Sequence, residues 1–463
     1  MKRLPWPPWK SWYRAPASSK RRIHLGIDYG TSVSKIVFRD NGAPGGNRAV
    51  LVLHNGSFRF PSRICMTASE LLFGDDTKAA SDCEIYDSLK MRVAVEVSGD
   101  PKYFLGARTR LPDGFTAADL AALTVWSLIS EGHRAVAAQL NGRMDGVEMG
   151  MTMGVPMDFF NDKQLRASFL SIARRAWTFY CEEGLLDSPF LIEKARRVLE
   201  KHPVPVSAIS DDEIQDWIDN RATIAVNSPI DIIRYEDEAA IWWPLRSPSV
   251  GAGPYEKSDI GAGTTQVNLF RIFGPVQSPK RSMVRSGAAA APFGMDAVDR
   301  AIAQCQGLDG DCLGLRGAEQ SILQTDVKVR EALMPVGEQI YDSYREAWME
   351  ACRKIGKNEL ELSSWRQHKV FVTGGGSFLP FLVDTFKTHP GQRELLSVMK
   401  LEQPIDLIRA DRKEITSEEL PFVTVAYGLS NMESFLPNPY VRDTGRMRTH
   451  WRHLGEESPV ESA

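Results

Sequence analysis

The strongest constraint in this chain is one short pattern used twice. Leu25-Gly26-Ile27-Asp28-Tyr29-Gly30-Thr31-Ser32 and Lys257-Ser258-Asp259-Ile260-Gly261-Ala262-Gly263-Thr264-Thr265 each lead through an Asp to glycine and hydroxyl residues, then into β-rich sequence. Each predicts a hairpin with a Gly-rich tip. Glycine admits positive φ and leaves out the Cβ that would hold an anion away. Successive N–H groups at such a turn form an anion-binding nest. Thr31, Ser32 and Thr264 add hydroxyl donors. Two such hairpins suit the phosphate tail of a nucleotide. Phosphates bring Mg²⁺, which keeps several waters and needs only one or two carboxylates. Asp28 and Asp259 fit that role. Either hairpin alone is compatible with a simple tight turn; the repetition favours phosphate.

Two more segments extend the pattern. Val370-Phe371-Val372-Thr373-Gly374-Gly375-Gly376-Ser377-Phe378-Leu379-Pro380 reads as a strand, a glycine turn and a Pro-marked helix start. Met153-Gly154-Val155-Pro156 is followed by Phe159-Phe160-Asn161-Asp162-Lys163-Gln164. Three weaker matches are Glu236 before Ala239-Ala240, Lys90 in Ser88-Leu89-Lys90, and Val425-Ala426-Tyr427-Gly428. In this order the segments resemble the actin and DnaK-type chaperone superfamily. The Val155-Pro156 to Gln164 stretch is similar to the DnaK-type branch in particular.

The resemblance implies an α/β fold of two lobes, an actin-like ATPase built from duplicated ribonuclease-H-like domains, with ATP or ADP in a central cleft. It implies roles as well. Asp28 and Asp259 match the acids around Mg²⁺. Gly30, Thr31, Ser32, Gly261, Gly263 and Thr264 match phosphate contacts. Lys90 matches a lysine near the γ-phosphate, and is expected to serve chemistry and not folding; Glu236 matches the acid near the metal and the attacking water. Gly374, Gly375 and Gly376 match the glycines against ribose and adenine, and Arg330 a cation stacked over the base. Two departures stand out. Gln266 occupies a position where DnaK-type chaperones carry Asp and some bacterial actins Glu. An amide orients water but does not accept a proton. Phe422 and Val423 stand where family members carry acidic residues.

The 463 residues suffice for two to four domains, and 43% hydrophobic with 25% charged residues is ordinary globular composition. A net charge of −3 gives no basic field for nucleic acid. No apolar run reaches membrane-spanning length, and the N-terminus carries Pro and Trp where a signal peptide has its apolar core, so a cytoplasmic protein is expected. The six cysteines include no C-x-x-C and are expected to be reduced thiols.

Residues 1–22, rich in Pro, Trp, Lys and Arg, read as a disordered tail. Their interleaved aromatic and basic side chains leave a membrane anchor open. The first lobe is expected over 23–245. It contains strands around the hairpin from Ile23 to Phe38 and at Ala49–Leu53, helices at Ala117–Leu140 and Asp162–Thr178, and a strand at Val147–Val155. Residues 181–230 look like an insertion within it, with helix patterns at Pro189–Glu200 and Asp211–Asn220. They are read either as a bland surface insertion or as the docking surface for a protein partner. The second lobe is expected over 246–435, with a helix opened by Gly294-Met295-Asp296 and helices within 317–356, and 436–463 as a disordered tail. No peptide-binding sandwich is expected. The leading functional expectation is a nucleotide-dependent conformational switch with slow Mg-ATP hydrolysis. An actin-like filament-forming ATPase, a non-hydrolysing nucleotide-binding scaffold and a small-molecule kinase stay open, as does the oligomeric state.

Overall fold

The computed structural model describes residues 21–40, 48–74, 76, 83–100, 110–156, 159, 162–203, 233–247, 249–275, 282–291, 294–307, 327–355, 368–378, 397–404 and 406–431. These form two compact units. The first draws mainly on residues up to Trp243 and on Glu402–Pro437, the second mainly on Pro244–Ile260 and Thr264–Leu401.

The first unit opens with a meander of β1 (Arg21–Asp28), β2 (Val33–Asp40) and β3 (Arg48–Leu51). The short β4 (Phe60–Pro61) adds to β2. A separate antiparallel sheet holds β5 (Ile64–Met66), β6 (Glu70–Phe73) and β7 (Glu84–Tyr86). Helices α1 (Leu89–Ser98) and α2 (Ala117–Gln139) lead to β8 (Val147–Val155), parallel to β1. Then come α3 (Lys163–Glu183), β9 (Phe190–Leu191) beside β6, α4 (Ile192–Lys201), β10 (Ile233–Tyr235) parallel to β8, and α5 (Glu236–Arg246). The second unit comprises β11 (Gly253–Ile260), β12 (Thr265–Phe273), β13 (Ser282–Ala291), α6 (Met295–Cys305), α7 (Val327–Ile355), β14 (Lys369–Gly374) and β15 (Ser397–Val398). The chain then returns to the first sheet with β16 (Leu407–Arg409), parallel to β3, and α8 (Leu420–Leu429).

The two main sheets share one topology. The first runs β16-β3-β2-β1-β8-β10, with β4 also on β2, and its strands β3-β2-β1-β8-β10 match the second, β13-β12-β11-β14-β15. In both, three consecutive antiparallel strands are followed by two strands added in parallel beside the first. The fold is therefore mixed α/β, and the repetition seen in the motifs extends to strand order.

Local chemistry accounts for the element ends. On β1, Ile23, Leu25 and Ile27 are fully buried on one face, the period-2 pattern of a strand. Thr116 and Asp119 form a reciprocal capping box that starts α2. Asp162 caps α3 by accepting from Gln164 N and Leu165 N, each at 2.9 Å. Gly184, with φ of 82°, ends that helix, which runs on to Glu183, beyond the expected Thr178. The strand expected at Val147–Val155 has those bounds, and the helices expected at Ala117–Leu140 and from Gly294 agree to within two residues. The expected helices of 317–356 include one long helix, α7.

Three expectations need correction. Arg21 and Arg22, assigned to a disordered tail, belong to β1, and Arg21 pairs with Asp40 across the hairpin. The start of the 181–230 segment is not a surface insertion: Leu186, Phe190, Ile192, Ala195 and Val198 join the main core, with Phe190 edge-on to Trp126 at 5.4 Å. Its second helix pattern, at 211–220, lies outside the described residues, as do residues 1–20 and 432–463. Finally, Cys65 and Cys83 form a disulfide, with Cα atoms 5.7 Å apart. Antiparallel pairing of β5 with β7 brings the two cysteines together, which sequence spacing could not disclose. No helix among the described residues is long and apolar enough to cross a membrane.

Candidate functional site

In the first hairpin, Asp28 stands directly opposite Lys35. Lys35 Nζ donates to Asp28 Oδ2 at 3.0 Å. Gly30 makes the tip possible: a Cβ there would lie 2.1 Å from Val33 O. Thr31 and Ser32 follow at the tip, half-buried. The Tyr29 carbonyl accepts from Lys90 Nζ at 2.8 Å. The same ammonium pairs with Glu236 Oε1 at 2.5 Å. Glu236 begins α5 directly after β10, and Lys90 is the second residue of α1. A Cβ on Gly154 would stand 2.8 Å from Glu236 Cγ. The glycine in Met153-Gly154-Val155-Pro156 thus makes room for the acid. Within this unit the fold gathers Asp28, the glycine tip, Lys90 and Glu236.

The burial of Lys90 bears on the expectation that it serves chemistry and not folding. Its side chain is 4% exposed, against 12% for Glu236. Two buried opposite charges hold each other, and removing one leaves the other without compensation. Lys90 is therefore part of what holds this unit together, as well as a candidate for chemistry.

The second hairpin, whose strands β11 and β12 belong to the second unit, has the same order of strand, aspartate and glycine turn. Asp259 stands opposite Gln266. Gln266 is thus the counterpart of Lys35, and it is buried. Lys257 Nζ donates to Asp259 Oδ2 at 2.9 Å. Parallel pairing sets Asp259 beside Thr373 and Ile260 beside Gly374. Gly374 has φ of 80°, and a Cβ on it would lie 2.4 Å from Asp259 Oδ1. A Cβ on Gly376 would lie 2.5 Å from the Ile260 side chain, whereas the nearest atom to one on Gly375 is in the Met295 side chain, at 3.6 Å. Asp259, Gln266 and Gly374–Gly376 are thereby brought together. Gly261, Gly263 and Thr264 form the turn between β11 and β12. Arg330 lies in the first turn of α7.

Sequence reading missed Lys35 and Lys257. Lys35 becomes the partner of Asp28 only through the register of β1 with β2, whereas Lys257 sits two residues before Asp259 on the same face of β11; each hairpin aspartate has its own ammonium partner. It also undervalued the pairing of Glu236-x-x-Ala239-Ala240 with Val425-Ala426-Tyr427-Gly428. Helices α5 and α8 meet so closely that a Cβ on Gly428 would lie 1.8 Å from Ala239 O. Ala239, Ala240, Val425 and Leu429 form a small cluster there, and Trp243 meets Tyr427 edge-on at 5.3 Å. Helix α8 in turn lies against β1, where a Cβ on Gly26 would be 2.3 Å from Ala426 O. This packing fixes Glu236, at the start of α5, relative to the first hairpin. Phe422, at a position where an acid was noted as missing, lies under the Arg59 guanidinium at 4.2 Å, and Val423 is buried.

Two buried groups near this framework have shifted ionisation. His24 Nε2 shares a hydrogen bond with Thr152 Oγ1 at 2.9 Å. Burial first, then the charges of Arg234 and Arg39, push its pKa down to about 3. The imidazole is neutral at pH 7. Burial also raises the Tyr427 hydroxyl above its ordinary range, helped by Asp406, which accepts from that hydroxyl at 2.8 Å.

Compared with known proteins, the chain matches no family model and no curated protein.

Proposed function

We propose that this chain is a nucleotide-dependent conformational switch with the two-lobed, actin-like fold of duplicated ribonuclease-H-like domains, binding ATP or ADP with Mg²⁺ and hydrolysing ATP slowly. One observation carries the reading. The same five-strand order occurs twice, and in both the first strand of the hairpin carries an aspartate at its end or one residue before it, leading into a tip that contains glycine.

The residues fit the ligand. Asp28 and Asp259 are each within 3.0 Å of a lysine ammonium, so both tips combine carboxylate with positive charge. That is the donor set a metal-bound polyphosphate needs: acids for the cation, ammonium and N–H groups for the phosphates. Glycine at position 30 keeps the backbone clear of any Cβ. Bound Mg²⁺ would supply neutralisation of phosphate charge, with Asp28 and Asp259 as its holders. Lys35 and Lys257, released from their aspartates, would turn to phosphate oxygens. Lys90 would hold Glu236 in place, and Glu236 would orient the attacking water. Gln266 would add a second orienting group without proton acceptance. Gly374–Gly376 would give a flat, side-chain-free surface to ribose and adenine, with Arg330 over the base. A closing movement read by a protein partner would be the output.

Gln266 also supports a second reading, a nucleotide-binding scaffold that does not hydrolyse. Single-turnover hydrolysis of Mg-ATP separates the two. The switch reading expects slow product formation in wild type, equal or faster in Gln266→Asp. Bound ATP that stays intact in wild type favours the scaffold. Fast wild-type turnover abolished by Gln266→Asp would show that the amide is itself the catalytic choice, against both.

A further inference from the structure

Three ligand-type side chains converge where α3 and α4 end. Glu182 and Glu183 close α3, and His202 follows the last residue of α4. One carboxylate oxygen of each Glu and one ring nitrogen of His202 lie within 4.8 Å of one another. His202 Nε2 is 3.4 Å from Glu182 Oε2 and 3.9 Å from Glu183 Oε1. Two carboxylates at a helix end, one exposed and one half-buried, would mean little alone. The independent observation is the imidazole. Its side chain is 8% exposed. Its ring rests on Phe179, centroids 5.6 Å apart. Its backbone carbonyl accepts from Arg175 Nε at 2.9 Å, and Arg175 is anchored to Asp119 at 2.8 Å. Yet Nε2 makes no hydrogen bond. Buried polar atoms are normally satisfied. This one is held in place facing two carboxylate oxygens.

We propose that Glu182, Glu183 and His202 form a site for a divalent cation of the Zn²⁺ class, which staples the end of α3 to the end of α4. Imidazole with carboxylates suits Zn²⁺ and its neighbours, whereas Mg²⁺ and Ca²⁺ favour oxygen donors alone. Bonds of about 2.0–2.1 Å in a tetrahedron set ligand atoms about 3.3–3.4 Å apart. The His202–Glu182 edge already has that spacing, at 3.4 Å. The His202–Glu183 edge reaches it by closing about half an ångström. Water completes the coordination at this open edge.

Lys201 supplies further evidence. Its ammonium bridges Glu183 Oε1 at 2.6 Å and Glu182 Oε2 at 3.2 Å. The carboxylate pair is therefore already arranged around a positive charge. The Lys201 side chain is 54% exposed, so it can leave for water. Metal and ammonium compete for the same oxygens, and the metal alone gains the His202 nitrogen.

The test is Zn²⁺ titrated into the full, nucleotide-free chain by calorimetry, with Co²⁺ absorption as a second readout. Wild type is expected to bind one ion here. His202→Ala and Glu183→Gln should each weaken binding at least about tenfold, and Lys201→Met should strengthen it at least about threefold. Cys181→Ser, beside the acids on α3, should leave it unchanged. Circular dichroism checks folding, and Glu183→Gln, a conservative change at a partly exposed position, keeps the test readable if His202→Ala unfolds. The proposal is overturned by a wild type that binds no Zn²⁺, by binding indifferent to His202→Ala and Glu183→Gln, by loss of binding in Cys181→Ser, or by Lys201→Met failing to strengthen it.

Discussion

At the scale of single residues, the Lys90–Glu236 pair is the most exposed to test. Both side chains are largely buried and bonded to each other, so breaking the pair from one side should cost about 3–5 kcal/mol. Lys90→Ala is expected to lower the stability measured by urea unfolding by that amount. Lys90→Met combined with Glu236→Gln should recover much of the loss, since no uncompensated charge remains. Equal losses in the single and double variants would show that the two charges do not depend on each other. His24 gives a pH signature. Unfolded, its imidazole takes a proton near pH 6.5; folded, it resists until about pH 3. Between these values the unfolded chain binds more protons than the folded one. Stability therefore falls as pH falls, by up to about 1.4 kcal/mol per pH unit from this group. His24→Gln should flatten the difference in stability between about pH 6 and pH 4 by that slope. A slope unchanged from wild type would mean that His24 is not held neutral. The aspartates, glycines, Lys90 and Glu236 were legible as residues because their types are unusual for their surroundings. Lys35 and Lys257 were not. A lysine near a hairpin is ordinary; register makes Lys35 the partner of Asp28, and Lys257 reaches Asp259 along its own strand, two residues away.

Elements were legible where local chemistry marks both ends. Helix α2 has a capping box, and β8 has nine residues between turn signals. The two-residue β9 had no such marks. It exists because β6 offers an edge, a tertiary cause that no local pattern reports. For the same reason the beginning of 181–230 reads as dispensable in sequence but is core in the structure. Phe190→Ala should cost about 3–5 kcal/mol, as expected for a buried aromatic. Excising Leu185–Ser228 should destabilise the first unit instead of sparing it. A melting temperature indifferent to Phe190→Ala would restore the surface reading. The α5–α8 crossing makes a sharper forecast. Gly428→Ala puts a methyl 1.8 Å from Ala239 O, so backbone must move, at about 1–3 kcal/mol or more. Gly251 has nothing within 4 Å of its would-be Cβ. Gly251→Ala should change stability by no more than about 0.5 kcal/mol. Equal effects of the two substitutions would mean that the helices are not in contact there.

At the scale of the whole molecule, two hairpin motifs in sequence became two sheets with one strand order. The α/β class followed from the strands and helices that the motifs bracket. The pairing partners of β15 and β16 did not: both are short strands without alternation, β15 joins the strand just before it, β14, and β16 joins an edge, β3, formed much earlier in the chain. The central claim is that the duplication binds one nucleotide through its paired aspartates. The most direct measurement is calorimetric titration of ATP into wild type, Asp28→Ala and Asp259→Ala, each with Mg²⁺ and with a chelator. The account predicts one ATP per wild-type chain, tighter with Mg²⁺. It predicts that each variant loses at least about tenfold of the Mg²⁺-dependent affinity, roughly 1.4 kcal/mol. A wild type without affinity for ATP, or with affinity indifferent to both aspartates, would contradict it.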